Sequence, residues 1–154
     1  MRKNVLLILV LSLLFSLAAC GGKEAKRDLD PAALSGDLLK SNVFSASLEE
    51  LPASKVSAFY ELDADTVEEA VLYHASGVSK EQIVILKLRD ETAAGNTVSE
   101  LKGLITQWLE ADKAYAPQEV PKLEKAVLRQ SGVWVVLVIS NDPDTTAKIV
   151  GEYI

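Results

Sequence analysis

The chain has 154 residues, 25% of them charged, and a net charge of −6. This acidic balance argues against nucleic acid or an anionic membrane surface as a direct partner, because both attract basic patches. A single cysteine and a single histidine exclude an intrachain disulfide and the usual zinc and iron sites, which need clusters of these residues.

The first twenty residues have the organisation of a secretory signal peptide. Arg2 and Lys3 precede an apolar run over 5–19, and small residues lead into Cys20. The alternative is a membrane-spanning helix, but fifteen residues at about 1.5 Å each reach roughly 22 Å, which is less than the roughly 30 Å hydrocarbon core. We therefore predict a cleaved signal over residues 1–19.

The end of this signal, Leu17-Ala18-Ala19-Cys20, resembles the lipobox of bacterial lipoproteins, in which the cysteine receives a diacylglyceryl group. The resemblance implies lipidation of Cys20 and anchoring on the extracytoplasmic face of the cell membrane, since two acyl chains hold a protein stably. The alternative is a free cysteine in an ordinary exported chain. Residues 20–30 then form the lipidated cysteine and a flexible tether, and residues 31–154 form a single domain.

The domain begins with a segment, 31–62, that we predict to be mostly helical. Pro31 suits the first turn of a helix and Asp30 its cap. Residues 47–50 have capping-box spacing, which favours a second helix start. Pro52 interrupts this segment before a further helix over 55–61.

Two strand–strand–helix units follow. The first has predicted strands at 67–75 and 81–89 and a helix at 97–115; the second has strands at 124–130 and 133–140 and a helix that starts at Asp142-Pro143. A Ser-Gly turn joins the strands of each pair. The strand at 133–140 is apolar on both pleat faces, which predicts that it is covered on both sides.

This order of elements predicts an α+β domain. N-terminal helices precede a four-stranded antiparallel sheet that carries its helices on one face. The pattern does not fix the order of the strands.

No constellation of catalytic residues is recognisable. His74 is interpreted as a structural, hydrogen-bonded side chain on an apolar strand face. Asp63 and Asp65 begin like a calcium loop but lack its next oxygen ligand and its glycine. The adjacent acids at 49–50 and 68–69 are better explained as solvated edges than as paired catalytic carboxylates. We therefore predict no catalytic residue, metal site or cofactor.

Several short motifs resemble those of a known family. They are Phe59-Tyr60-x-Leu62, Val-Glu-Glu-x-x-x-Tyr at 67–73, Ile-Val-x-x-Lys at 83–87, Tyr115-Ala116-Pro117-x-Glu119, Lys122-Leu123-Glu124-x-Ala126-Val127 and the run Gly132-x-x-Val135-x-Leu137-Val138-x-Ser140. Together they are similar to a family of lipoproteins from Gram-positive bacteria known as domain of unknown function 4358. The similarity covers roughly 44–150 and implies lipid anchoring, but no activity, cofactor or catalytic residue.

We therefore expect a non-catalytic interaction module, held at the membrane by Cys20, that binds another envelope protein, a peptide or a wall component. A sheet edge or an uncovered sheet face is the expected contact surface. Two alternatives stay open at this point: a small-ligand accessory binder for a transporter, and a hydrolase that acts through carboxylates.

Overall fold

A computed structural model describes residues 28–154, which form one mixed helix and sheet domain around a five-stranded sheet. Every hydrogen-bonded pair of neighbouring strands is antiparallel, and the order across the sheet is β1-β2-β3-β5-β4. The strands are β1 (Leu48–Leu51), β2 (Val67–Ala75), β3 (Gln82–Leu88), β4 (Val127–Ser131) and β5 (Trp134–Ile139).

Within residues 28–154, five α-helices lie around this sheet, and three of them have ten residues or more. They are α1 (Pro31–Lys40), α2 (Val56–Tyr60), α3 (Glu91–Tyr115), α4 (Val120–Glu124) and α5 (Pro143–Tyr153).

Aspartate caps fix where the three long helices begin. The carboxylates of Asp30, Asp90 and Asp142 each accept a hydrogen bond from the backbone amide three residues later, at 2.7–3.0 Å. Such a cap satisfies one of the amides that a helix start leaves unpaired. The predicted caps at Asp30 and Asp142 are confirmed. At Asp90 the cap starts α3 six residues earlier than the predicted boundary at 97.

The two predicted hairpins are confirmed. Gly77 and Gly132 lie in their turns and have φ values of +76° and +58°, which glycine adopts without the steric cost of a Cβ. The second strand of each hairpin leads into a capped helix, so the repeated strand–strand–helix order is also correct.

The predicted four-stranded sheet is wrong by one strand. Leu48–Leu51 does not start a helix but forms β1, which pairs with the last four residues of β2 from Ala75 to Leu72. Pairing with β2 overrides the local capping-box signal, and Pro52 ends the strand. In the second hairpin, residues 120–124 form α4 and the strand begins only at Val127.

Helices cover both faces of the sheet, so the predicted single-sided packing is also wrong. Val84 and Leu86 of β3 belong to one apolar core with residues of α3, whereas Ile83 and Ile85 belong to a second core with residues of α1 and α5. The same alternation runs along β5, whose six residues are all buried. The expectation that this strand is covered on both sides is therefore confirmed.

The folded domain extends to the first residues that the structure describes. Leu29 is only 4% exposed and belongs to the second core, and the indole N–H of Trp134 donates a 3.0 Å hydrogen bond to Asp28. The predicted signal peptide, Cys20 and the tether up to residue 27 lie outside the described residues. Within residues 28–154, no helix is both long enough and apolar enough to cross a membrane.

Candidate functional site

A groove of about 560 Å³ lies between α3 and β4, the strand at one edge of the sheet. One wall comes from a single face of α3, where Lys102, Ile105, Thr106 and Leu109 recur at steps of three and four residues. Ile105 and Leu109 are only partly buried, although they pack against the first core. This helix therefore presents an apolar surface that its own domain does not fully cover.

The opposite wall comes from α4 and β4. Leu123 and Glu124 lie at one end, Ala126 follows them, and Val127, Leu128 and Arg129 continue along β4. Leu123 is buried, and Ala126 and Leu128 are partly buried against the same core. The floor of the groove is thus continuous with the core on that face of the sheet, which favours a fixed shape over a surface that rearranges.

A cluster of buried charges holds α4 in place. The ammonium of Lys122 lies 3.3 Å from the carboxylate of Glu81 and 3.1 Å from that of Glu119. The side chains are 15%, 0% and 5% exposed, respectively. Glu81 directly precedes β3, so these contacts tie α4 to the end of the central strands.

The Glu81 carboxylate is also the acceptor for a neighbouring loop. It receives hydrogen bonds from the backbone amide of Ser45 at 3.0 and 3.1 Å, from the Ser45 hydroxyl at 2.8 Å and from the amide of Ala46 at 2.6 Å. Burial alone would raise the pKa of Glu81. These hydrogen bonds and the Lys122 ammonium outweigh burial and hold the pKa below its ordinary value. Glu81 is therefore a buried carboxylate that stays ionised.

Glu119 joins the β2–β3 turn to the same cluster. Its carboxylate accepts a 2.8 Å hydrogen bond from the backbone amide of Lys80. The Lys80 ammonium lies 3.6 Å from Asp112 and 6.0 Å from the ring centroid of Trp108, both on α3. The charged cluster, Lys80, Glu81, Asp112, Glu119 and Lys122, therefore links α3, α4 and two loops at the end of the groove.

Acidification is expected to destabilise the wild-type chain more steeply than a Glu81→Gln variant. Because the pKa of Glu81 is lower in the folded than in the unfolded chain, its stabilising effect is complete above the unfolded value of about 4.3 and is lost as the pH falls through the folded-state pKa. Urea unfolding at a series of pH values from about 7 to about 3 measures this slope. Equal slopes for the two chains would contradict the ionised, hydrogen-bonded state of Glu81.

The residues that the sequence singled out lie elsewhere. Cys20 is outside the described residues. His74 contacts the carbonyl of Ala75 through Nδ1 at 2.6 Å and lies 5.4 Å from the ring of Phe59, in agreement with its structural interpretation. Asp63 accepts a 3.0 Å hydrogen bond from the backbone amide of Asp65 in a local turn.

The paired acids at 49–50 and 68–69 are exposed on β1 and β2. Among residues 28–154, no group of three or more His, Cys, Asp or Glu side chains is arranged to hold a metal ion. Glu119 and Lys122 occur in the motifs of the family resemblance, but the sequence did not predict that they form a charged cluster with Glu81. The only local signal for them is the three-residue spacing of Glu119 and Lys122, which places both on one helical turn.

Residues 41–140 match the model of a protein family described as a domain of unknown function, DUF4358. The chain belongs to this family. The predicted resemblance to the DUF4358 family is therefore confirmed. Comparisons with curated proteins and with solved structures gave no match.

The DUF4358 match extends from the end of α1 to the end of β5. It includes every residue of the groove and of the charged cluster, whereas all of α1 and all of α5 lie outside it. The Tyr115-Ala116-Pro117-x-Glu119 corner turns the chain from α3 into α4. Ala116 and Glu119 of this corner are buried and Tyr115 is 86% exposed. This motif of the resemblance thus ends in a residue that holds α4, one wall of the groove, in place.

Proposed function

We propose that this chain is a membrane-anchored, extracytoplasmic lipoprotein and that it acts as a non-catalytic binding module of the cell envelope. Its binding surface is the groove beside β4, and the occupant is an extended peptide segment of another envelope protein. The lipobox-like sequence that ends at Cys20 supports the anchor. Membership of the family is consistent with this location but assigns no activity.

The observation that carries the binding function is the position of the groove next to the edge of the sheet. Partly buried apolar side chains line it on both sides, and two basic residues, Lys102 of α3 and Arg129 of β4, border it. An extended peptide that joins a sheet edge gains affinity from backbone hydrogen bonds and specificity from such side-chain contacts.

We propose binding and not catalysis because the carboxylates that the fold brings together serve other roles. Glu81 and Glu119 share Lys122, and both accept backbone hydrogen bonds. A general acid needs a proton to give, whereas the lowered pKa of Glu81 keeps it ionised. Their arrangement suits the stabilisation of the groove wall.

Site-specific photo-crosslinking in intact cells tests the proposal. A photoreactive amino acid in place of Thr106, an exposed residue in the groove, is expected to give an adduct with a defined peptide of another extracytoplasmic protein. The same substitution at Ser57, an exposed residue of α2, provides the matched control and should give no such adduct. Equal adduct formation at both positions would contradict the proposal that the groove is the binding surface.

The Cys20→Ala variant tests the anchor in the same cells. We expect this variant to incorporate no radiolabelled fatty acid and to be absent from the membrane fraction as mature protein. The Thr106 adduct should also be much weaker, because the variant is no longer held near its partner. Equal fatty-acid incorporation in the wild type and in this variant would refute lipidation at Cys20.

A further inference from the structure

The outer edge of β4 offers backbone groups for pairing. Ser131 and Trp134 face each other across a two-residue turn, and the register from there to Val127 is continuous. The pair next to such a turn exchanges both backbone hydrogen bonds, and bonded and non-bonded pairs then alternate along the ladder. The N–H and C=O groups of Leu128 and Gln130 therefore point away from β5, and within residues 28–154 no strand lies beyond them.

The other edge of the sheet is less suited to pairing. β1 has only four residues, ends directly before Pro52 and carries the exposed acids Glu49 and Glu50. Short length, charge and proline are the features by which proteins protect sheet edges. β4 has no proline and no bulge, so the edge beside the groove is the more suitable one for an added strand.

A strand added at β4 would direct every second side chain toward the groove. Successive side chains of a strand alternate between the two faces of a sheet. On the groove face they would meet Ile105 and Leu109 of α3 beside Leu128. In such a strand, the groove would favour apolar side chains at alternate positions.

The charges around the groove differ in sign from those of the chain as a whole. Lys102 and Arg129 line it against a single carboxylate, Glu124, although the chain has a net charge of −6. Among the residues that the structure describes, neither Lys102 nor Arg129 takes part in a salt bridge. Both cations are therefore available to pair with acidic side chains of an occupant.

From these observations we propose that β4 binds an acidic, alternately apolar segment of the partner protein as a sixth strand of the sheet. This inference rests on the proposed function and specifies its ligand. The apolar positions fill the groove against α3. The acidic positions between them lie on the other face of the sheet, the face of Val127 and Arg129, and pair with Arg129, whereas an acid at the end of the groove face pairs with Lys102.

Two other occupants fit the charges less well. Arg129 is the middle residue of β4, so a symmetric pairing of two copies over the full strand, centred on this residue, would set Arg129 against its own copy, and like charges directly opposite destabilise a strand pair. The segment 21–27 of this chain carries Lys23, Lys26 and Arg27 against a single acid, Glu24, so its charge has the same sign as the groove.

Selection of peptides tests the inference on the full-length chain in detergent micelles. Random peptides of about ten residues, displayed on phage, are selected for binding, and the selected sequences are then synthesised with a fluorescent label. We expect acidic sequences with alternating apolar residues. We also expect them to bind a Lys102→Glu/Arg129→Glu variant at least about tenfold more weakly. A Lys55→Glu/Lys148→Glu variant, with the same change of net charge at exposed sites away from the groove, should bind them as the wild type does.

A Gln130→Pro variant separates strand pairing from charge. It removes one outward N–H, a position where proline is tolerated in edge strands, and should weaken binding of every selected peptide. If the selected peptides show no preference for acidic residues but bind the Gln130→Pro variant more weakly, the acidic ligand is refuted and the groove remains the proposed binding surface. If the selected peptides bind both variants as tightly as the wild type, or if no peptide is selected, the inference and the groove as binding surface are both refuted. If β4 instead cross-links to β4 of another copy of this chain, the occupant is a second copy and the proposed partner segment is refuted.

Discussion

Replacing Glu81 with alanine is expected to lower the free energy of unfolding by about 3 to 5 kcal/mol, the usual cost of removing one partner from a buried ion pair. The side chain is fully buried, and its loss leaves the Lys122 ammonium without one of its two carboxylates. It also leaves the backbone amides of Ser45 and Ala46 without an acceptor. Urea unfolding at neutral pH, followed by circular dichroism, measures the change.

A Glu110→Ala variant is the matched control for this prediction. Glu110 also pairs with a lysine three residues away, Lys113, but both side chains are more than half exposed. Solvent screens such a pair, so its removal should cost less than about 1 kcal/mol. Similar losses for Glu81→Ala and Glu110→Ala would show that the charged cluster does not hold the fold together.

The second large loss of stability is expected from a substitution on the sheet face that was predicted from the sequence to carry no helices. Ile85 is fully buried in the core between the sheet and α1 and α5. An Ile85→Ala variant should therefore lose about 2 to 5 kcal/mol of stability, because it removes apolar contacts and leaves a cavity. A sheet with helices on one face only would expose this side chain, and the same substitution would then cost little.

The control for Ile85 is Val78, a branched apolar residue that is 68% exposed in the β2–β3 turn. Its replacement by alanine should change the stability by less than about 0.5 kcal/mol. Thermal and urea unfolding of the two variants measure both changes in stability. A small loss for Ile85→Ala would contradict the packing of helices on both faces.

Much of the fold was predictable because its signals are local. The apolar runs of β2, β3 and β5, the Ser-Gly turns and the caps at Asp30 and Asp142 each act within a few residues of sequence. The bounds of β2 agree with the predicted strand at 67–75. These features define the α+β class and the two hairpins with the helix that follows each of them.

β1 was missed because its partner defines it more than its own sequence does. The four residues Leu48–Leu51 contain two glutamates and lie before a proline, a pattern that also fits a helix start. Only the backbone of β2 turns this segment into a strand. Coverage of the second face was missed for a similar reason, since no local pattern indicates that α1 packs on the face opposite α3.

The candidate site was not predictable from spacing. Glu81 accepts hydrogen bonds from residues 35 and 36 positions earlier in the chain, and its lysine partner lies 41 positions later. The groove itself is a gap between α3 and β4, two elements whose distance only the packed domain sets. The sequence alone also gave no reason to single out Lys102 and Arg129, because only the fold brings one from α3 and the other from β4 to the borders of the groove.

The hydrogen bond from Trp134 to Asp28 has a consequence for the reach of the domain. It fixes the point where the chain leaves the fold, beside the β4–β5 turn. From Cys20 to Asp28 a fully extended chain covers at most about 28 Å. With lipid on Cys20, as we propose, the β4–β5 turn is confined to a shell of that depth above the bilayer. The end of β4 at this turn then meets only those segments of a partner that lie close to the membrane.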